Sequence, residues 1–165
     1  MDAEELLKRY ASGERDFSGI NLRRVHLEGS NLNGINLSGT ELYDARLKNV
    51  NLSGANLSGA DMNSSTLEQV QLNNANLSKA NLCYTTTKDS SLKRVNLEGA
   101  MLAEAGMFTV DLEGANLKKV ILDEAGFSDC NLRDAIFDDH NWWRRCYVKN
   151  TIMPGGTPLT NEIED

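Results

Sequence analysis

Every fifth residue from Phe17 to Trp142 is apolar, Thr87 excepted, and 19 of the chain's 22 leucines stand in that one phase. No insertion interrupts the run. Neither regular element can bury such a pattern. A helix advances about 100° per residue, so a period of five walks around its surface by about 140° at each step. A strand alternates faces at every residue, so an odd period sends successive leucines to opposite sides. A chain that turns a corner every five residues buries them all. Four such sides close a square coil of about 20 residues, and fixed-period self-similarity of this kind marks a solenoid whose stacked units share one core.

The companion positions agree. Two residues before each leucine stands a small side chain, as at Val25, Ala45, Val50, Ala55, Ala60, Ala75 and Ala80, with Ile20 and Ile35 the largest until His140. Large and small residues alternating inward let layers interdigitate. The residue just before the leucine is often Asn or Asp, as at Asn21, Asn36, Asn56, Asp61, Asn76 and Asn96; these tolerate turns and bond nearby backbone. Glycine commonly follows two residues after it, as at Gly19 and Gly59, where a tight corner is required.

Ala55-Asn56-Leu57-Ser58-Gly59 and Ala115-Asn116-Leu117 fit the pattern Ala-(Asp/Asn)-Leu-x-x, and over roughly residues 15–142 the chain resembles the pentapeptide-repeat family. The resemblance implies an all-β solenoid, a right-handed quadrilateral β-helix. The segments Ala11–Gly19 and Thr151–Gly156 are similar to cyanobacterial single-domain members. The expected division is an N-terminal capping α-helix in residues 1–14, the β-helix in 15–150, and a turn with a flexible tail in 151–165. About six and a half to seven coils at about 4.8 Å each give a stack about 30 Å long.

Solenoid ends expose core and unpaired backbone, so both need caps. Asp2 reads as an N-cap with Glu5 three residues on, Lys8 and Arg9 suit the helix C-terminus, and Leu6, Leu7 and Tyr10 form one apolar stripe. Residues 2–12 are therefore expected to lie as a helix above Phe17 and Ile20. At the far end Phe137, Trp142, Tyr147 and Ile152 keep the phase, but the companion slots hold His140, Arg145 and Asn150, which cannot fill a narrow core. The aromatics read as a plug, and residues 138–150 fit either a distorted coil or a short helix. Pro154-Gly155-Gly156 is a turn, and the acidic tail beyond Pro158 is expected to be mobile.

Positions one coil apart stack at about 4.8 Å, so the outside becomes columns. Glu28, Lys48, Glu68 and Lys88 alternate in charge, as do Glu98, Lys118 and Asp138, and Lys93, Glu113 and Arg133; such pairs contribute about 0.2–1 kcal/mol each. Ser18, Ser38, Ser58 and Ser78 run beside Asn36, Asn56, Asn76 and Asn96 as a polar ladder. The remaining side differs. Its slot before the leucine holds Met101 and Ile121, and its next column reads Tyr43, Asn63, Cys83, Ala103, Asp123, Trp143. Tyr84 lies alongside and Phe108 around the next corner. Clustered apolar residues on a polar surface mark an interaction site. The candidate residues are Tyr84, Met101, Ala103, Phe108, Ile121 and Trp143.

At 165 residues the chain is one domain, and 24 acidic against 17 basic side chains give a formal charge of −7. That balance argues against direct nucleic-acid binding, which needs clustered Lys and Arg. Asp123, Glu124, Asp129, Asp134, Asp138 and Asp139 make one acidic cluster with Arg133 inside it, read as a solvated end. Three cysteines, an odd count without metal spacing, suit reduced thiols in a cytoplasmic protein. Cys130 takes an inward slot, and Cys83 points out. No signal peptide or membrane span is read from the sequence. His26 is expected outward beside Arg46, and His140 near the plug. No phosphate loop, metal spacing or acid pair is evident, and a filled axis leaves no cleft. No enzyme activity, cofactor, metal or small-molecule substrate is expected.

Three function classes follow. The first is a non-enzymatic rigid scaffold for protein–protein interaction, regulatory in a cyanobacterium as the resemblance suggests, whose partner is an unknown protein or a second copy. The second, implied by resemblance to acidic, gyrase-protecting members that dimerise through a C-terminal segment, is a DNA mimic acting on a topoisomerase. The third is a purely structural solenoid.

Overall fold

A computed structural model describes residues 1–139 and 141–161. One side of each coil carries a three-residue strand: β1 (His26–Glu28), β2 (Arg46–Lys48), β3 (Thr66–Glu68), β4 (Thr86–Lys88), β5 (Gly106–Phe108) and β6 (Gly126–Ser128). Each pairs in parallel with the next at a spacing of one coil, so that Leu27 meets Leu47 and Leu47 meets Leu67. Single parallel bridges hold the other three sides, from Asp16↔Asn36 up to Asn116↔Ile136. This makes about six regular turns, topped by one irregular one. The leucines and their Ala or Val companions fill the axis as one continuous buried core.

The corner two residues after each leucine is left-handed, but it is not reserved for glycine. Gly19 has φ +64°, and Arg24, Asp44 and Tyr84 take 58°, 55° and 60° at equivalent corners. Each of these N–H groups donates to the coil above, as Arg24 does to the Tyr43 carbonyl at 2.9 Å. That bond offsets a conformation L side chains otherwise avoid.

The front cap forms as expected. Helix α1 (Ala3–Ala11) is N-capped by Asp2, whose carboxylate accepts the Glu5 N–H at 2.8 Å, and it buries Leu6. Tyr10 donates its hydroxyl to the Asn33 carbonyl at 2.8 Å, and Arg9 lies over the Phe17 ring while pairing with Glu14.

The far end departs from the five-residue phase. A 3₁₀ turn over Trp142–Arg145 adds one residue, so strand β7 (Tyr147–Ile152) pairs Tyr147 with Gly126 and Val148 with Phe127. Tyr147 and Ile152 therefore do not keep the phase. Val148 is buried in place of Tyr147, and Thr151 in place of Asn150. The slip exchanges two residues that the narrow axis cannot take for two that it can. Thr151 also bonds where it lands, donating to the Phe127 carbonyl at 3.1 Å and accepting the Cys130 N–H at 3.2 Å. The segment left open between helix and coil is thus a short helical turn followed by a strand. Phe137 stacks on Trp142 with ring centroids 4.2 Å apart, and Trp142 meets Phe127 edge-on at 5.4 Å, which is the expected plug.

Residues 158–161 are strand rather than tail. Strand β8 (Pro158–Asn161) runs antiparallel to β7 through a turn closed by Met153 N–H to the Thr157 carbonyl at 2.8 Å. The expected boundary at 150/151 accordingly falls inside β7. The expectations for His140 and for the last four residues lie outside the described residues.

Candidate functional site

The residue before each leucine does two jobs where it is Asn or Asp. Its Oδ1 accepts the N–H two residues on, as Asn36 does from Ser38 at 3.2 Å, and its amide reaches the same atom one coil away. On the side carrying Leu37, Leu57, Leu77, Leu97 and Leu117, these bonds run without a gap from Asn116 through Asn96, Asn76, Asn56 and Asn36 to Asp16, at 2.8–3.4 Å. Hydrogen bonds from Ser18 hold Asp16 below the usual carboxylate range. We refer to this as the ladder side.

The adjoining side, carrying Leu82, Leu102 and Leu122, begins the same way. Asn81 donates to Asp61 at 3.0 Å and accepts the Cys83 N–H at 3.2 Å. Then Met101 and Ile121 take the slot. Neither can accept, and among the described residues no side chain accepts the N–H of Ala103 or Asp123. Both apolar side chains stay in water, 38% and 46% exposed. Elsewhere a missing amide is replaced. Where Ser91 stands in the slot, Asn73 from the coil below accepts both the Lys93 N–H at 2.9 Å and the Ser91 hydroxyl at 2.6 Å.

Of the six predicted residues, the structure brings four to this patch side; Trp143 instead lines the far end with Ile136, Phe137, Met153 and Pro154. Met101 and Ile121 form its stripe. Ala103 is half-buried beside it, and Tyr84, 55% exposed, projects from its corner. Phe108 belongs elsewhere. It lies on β5 with its ring folded back over Gly106, where a Cβ would come within 2.8 Å of the ring, and Lys88 Nζ sits 5.6 Å from its centroid. Two exposed apolar residues were missed. Ile136 ends the ladder column as its one apolar member, a signal legible in the sequence. Tyr147 was hidden by the phase slip.

Charge divides the patch side. Its lower half is neutralised by Arg23–Glu41 at 3.1 Å and Arg24–Asp44 at 3.5 Å. Higher up, Asp123 meets Arg145 at 3.5 Å, while Glu104 and Glu124, stacked one coil apart, have no cation at ion-pair distance among the described residues. Glu104 instead takes a hydrogen bond from Tyr84 and so raises the phenol's pKa. The expected charge columns are partly realised. Lys48–Glu68 at 3.8 Å and Lys93–Glu113 at 3.2 Å follow them, but Glu98 pairs diagonally with Lys119 at 2.8 Å rather than with Lys118. The acidic cluster is dispersed around the coil. Asp129 accepts from Asn150 at 2.7 Å, Asp138 accepts the Lys119 N–H at 2.7 Å, and Asp139 accepts the Asn141 N–H at 2.8 Å.

Cys130 and Cys146 are buried, and burial pushes their thiols up to about 11 and about 12. Cys83 is half-buried on the patch side. Among the described residues no three His, Cys, Asp or Glu groups converge as a metal site, and no helix is long and apolar enough to cross a membrane.

The axis is filled, but the expectation of no cleft needs correction at one corner. Below, Gly99 donates its N–H to the Lys118 carbonyl; at the equivalent rung Lys119 N–H is taken by the Asp138 side chain, and the main chain leaves the ladder. Ala80 and Ala100 are fully buried by the coil above them, whereas Val120 in the same column is only half-buried. A cleft of about 380 Å³ opens there, with Val120, Ile121, Leu122, Phe137 and Trp142 as its apolar lining.

Two family descriptions match the chain: a pentapeptide repeat region over residues 21–102 and pentapeptide repeats over residues 110–141. A structure of QnrB1, a plasmid-mediated fluoroquinolone resistance protein, is similar over 82% of this chain and 78% of that one, at 20% identity and TM-score 0.59. A pentapeptide repeat protein from the Arabidopsis thaliana thylakoid lumen is similar over 80% of this chain and 84% of that one, at 26% identity and TM-score 0.54. An uncharacterized Synechocystis protein, slr1851, is 57% identical over 37 residues, which are 22% of this chain and 23% of that protein. The matched segment is thus less than a quarter of that relative's length.

Proposed function

The chain belongs to the pentapeptide-repeat family, and we propose that it is a non-enzymatic scaffold that binds another protein through its patch side. One observation carries the reading. Met101 and Ile121 occupy a slot in which Asn makes two or three hydrogen bonds at other rungs, and they leave apolar surface in water instead. Each such bond is worth about 0.5–1.5 kcal/mol, so the exchange weakens the scaffold while supplying the apolar surface and Met content that interface cores favour. Tyr84 supports it: a bulky aromatic stands in a left-handed corner that glycine fills elsewhere. A cytoplasmic, regulatory setting is part of the same proposal, supported by three cysteines that form no disulfide.

The double variant Met101→Asn/Ile121→Asn tests it. The fold should persist, by circular dichroism, while partner capture or self-association is lost. Unchanged sedimentation and capture would leave the patch as surface scatter and favour the purely structural reading. The reading as a topoisomerase-directed DNA mimic has less support, because the acids from Asp123 to Asp139 point around the coil and several serve backbone N–H groups of the fold. A supercoiling assay with purified gyrase separates it: inhibition by the protein would favour the mimic.

A further inference from the structure

The cleft beside Ile121 lies at the end of the Met101–Ile121 stripe, and Ile121 belongs to both. It is bordered by carboxylates as well as apolar groups. Lys119 at its edge is engaged by Glu98 and Arg145 by Asp123. Asp138 and Asp139 at the mouth have no cation at ion-pair distance among the described residues, nor do Glu104 and Glu124 on the adjoining face. The site is therefore an apolar recess with an acidic border. Its size is at the small end of the range for ligand pockets, about 300–1,000 Å³, and suits a single large side chain rather than a folded surface. A second copy of this chain, at a formal charge of −7, would bring further acid to an acidic border.

We propose that this cleft anchors the partner: it accepts one aromatic or aliphatic side chain from a basic segment of another protein, whose flanking Lys or Arg residues meet Asp138, Asp139, Glu104 and Glu124. This rests on the reading of the patch side as the interaction face and adds where the binding energy is concentrated. Binding energy at interfaces gathers in a few desolvated pockets filled by large side chains, and among the described residues this recess on the patch side can enclose one. Charge on the border selects the partner and speeds its approach.

The probe is a fluorescein-labelled dodecapeptide of alternating Lys and Ser with one central Phe, compared with its Phe→Ala and Lys→Glu versions by anisotropy. Trp142, in the cleft wall, and Trp143 are the chain's two tryptophans, so emission from the unlabelled Phe peptide's complex gives a second readout. The Phe–Lys peptide should bind about tenfold or more tightly than either control and should shift tryptophan emission. Two variants of the protein should weaken it similarly. Val120→Phe fills the recess. Asp138→Asn/Asp139→Asn removes the charge while keeping acceptors for the Lys119 and Asn141 N–H groups, so it stands if the filled variant misfolds. Equal affinity for the Phe and Ala peptides, or unchanged binding in the folded variants, overturns the proposal. So does a dimer in sedimentation that Val120→Phe abolishes, which would make the occupant a second copy. The control Tyr84→Ser/Met101→Asn alters the face away from the cleft. If it alone loses binding, the interaction face stands and the anchor falls; if none of the variants loses binding, both fall.

Discussion

The ladder side and the patch side are built from the same five-residue unit, and they diverge at one slot. On the ladder side that slot is Asp16, Asn36, Asn56, Asn76, Asn96 and Asn116, and each amide hands a hydrogen bond to the coil below. On the patch side the chain stops at Asn81 and continues with Met101 and Ile121. The leucine column behind both slots is equally buried. The difference teaches that the inward positions alone hold the coil shut. The outward slot is then free either to strengthen the stack or to present apolar surface, but not both.

Breaking the ladder is the most damaging way to test this. Asn76 donates to Asn56 at 3.4 Å and accepts from Asn96 at 3.2 Å and from the Ser78 N–H at 3.1 Å. Asn76→Ala removes all three, and at about 0.5–1.5 kcal/mol per net bond, softened by half-exposure, a loss of about 1–2 kcal/mol in urea melts is expected. Asn81 stands next to the gap and has no amide above it to accept from. Asn81→Ala should therefore cost visibly less. Equal losses would mean that the amides act singly and that the ladder is only a coincidence of spacing.

A second effect lies on the strand side, which adjoins the patch side and faces away from the ladder. Thr87 is buried in β4 between Leu67 and Met107, the one polar residue in the five-residue phase. Thr87→Leu should stabilise by about 1 kcal/mol through added apolar burial. A lower denaturation midpoint would show that the site cannot accept the volume.

Most of this architecture was legible in the sequence, for a physical reason. Period five excludes helix and straight strand at once, and the regular coils carry no insertion to blur it. The patch stripe was legible too, because Met101 and Ile121 break a column that can be read by counting. Legibility failed where the period could be extended on paper but not in space. Tyr147 and Asn150 fall on the right count, yet neither fits the axis, and one extra residue puts Val148 and Thr151 there instead. Phe108 was grouped with the patch because the count places it just around the corner, but it stands on β5, on the next side of the coil. The cleft was invisible for a related reason. It arises from the Asp138 side chain replacing a main-chain bond, which no period encodes.

The two sides should also answer pH in opposite directions. Ser18 holds Asp16, and Lys119 holds Glu98, below the ordinary carboxylate range. A depressed folded pKa contributes stability that is full above the unfolded value, about 4, and is lost as pH falls through the folded one. Melting midpoints should thus drop below about pH 4. On the patch side Glu104 raises Tyr84. Its contribution is full below the unfolded value, about 10, and is lost as pH rises through the folded one. The phenol should titrate late by absorbance and return toward its ordinary value in Glu104→Gln. Late titration that survives this change would remove Glu104 as the cause.

The smallest stability effect is the most telling one. Met101→Asn/Ile121→Asn should extend the amide column upward from Asn81, since the backbone bridges Asn81↔Met101 and Met101↔Ile121 already hold the rungs in register. Each new Asn would also find, two residues on, an N–H that no side chain accepts among the described residues, at Ala103 and Asp123. Against these gains stands the loss of two apolar side chains that are more than half covered by their neighbours. A half-buried side chain of this size is worth about 1 kcal/mol, close to what one or two net hydrogen bonds return. The terms nearly cancel, and the urea midpoint should stay within about 0.5 kcal/mol of the parent or rise slightly. If binding is lost while stability holds, the apolar pair serves a partner rather than the fold. A fall well beyond that margin would place Met101 and Ile121 among the residues that hold the coil together, and the contrast between the two sides would then be one of packing rather than of purpose.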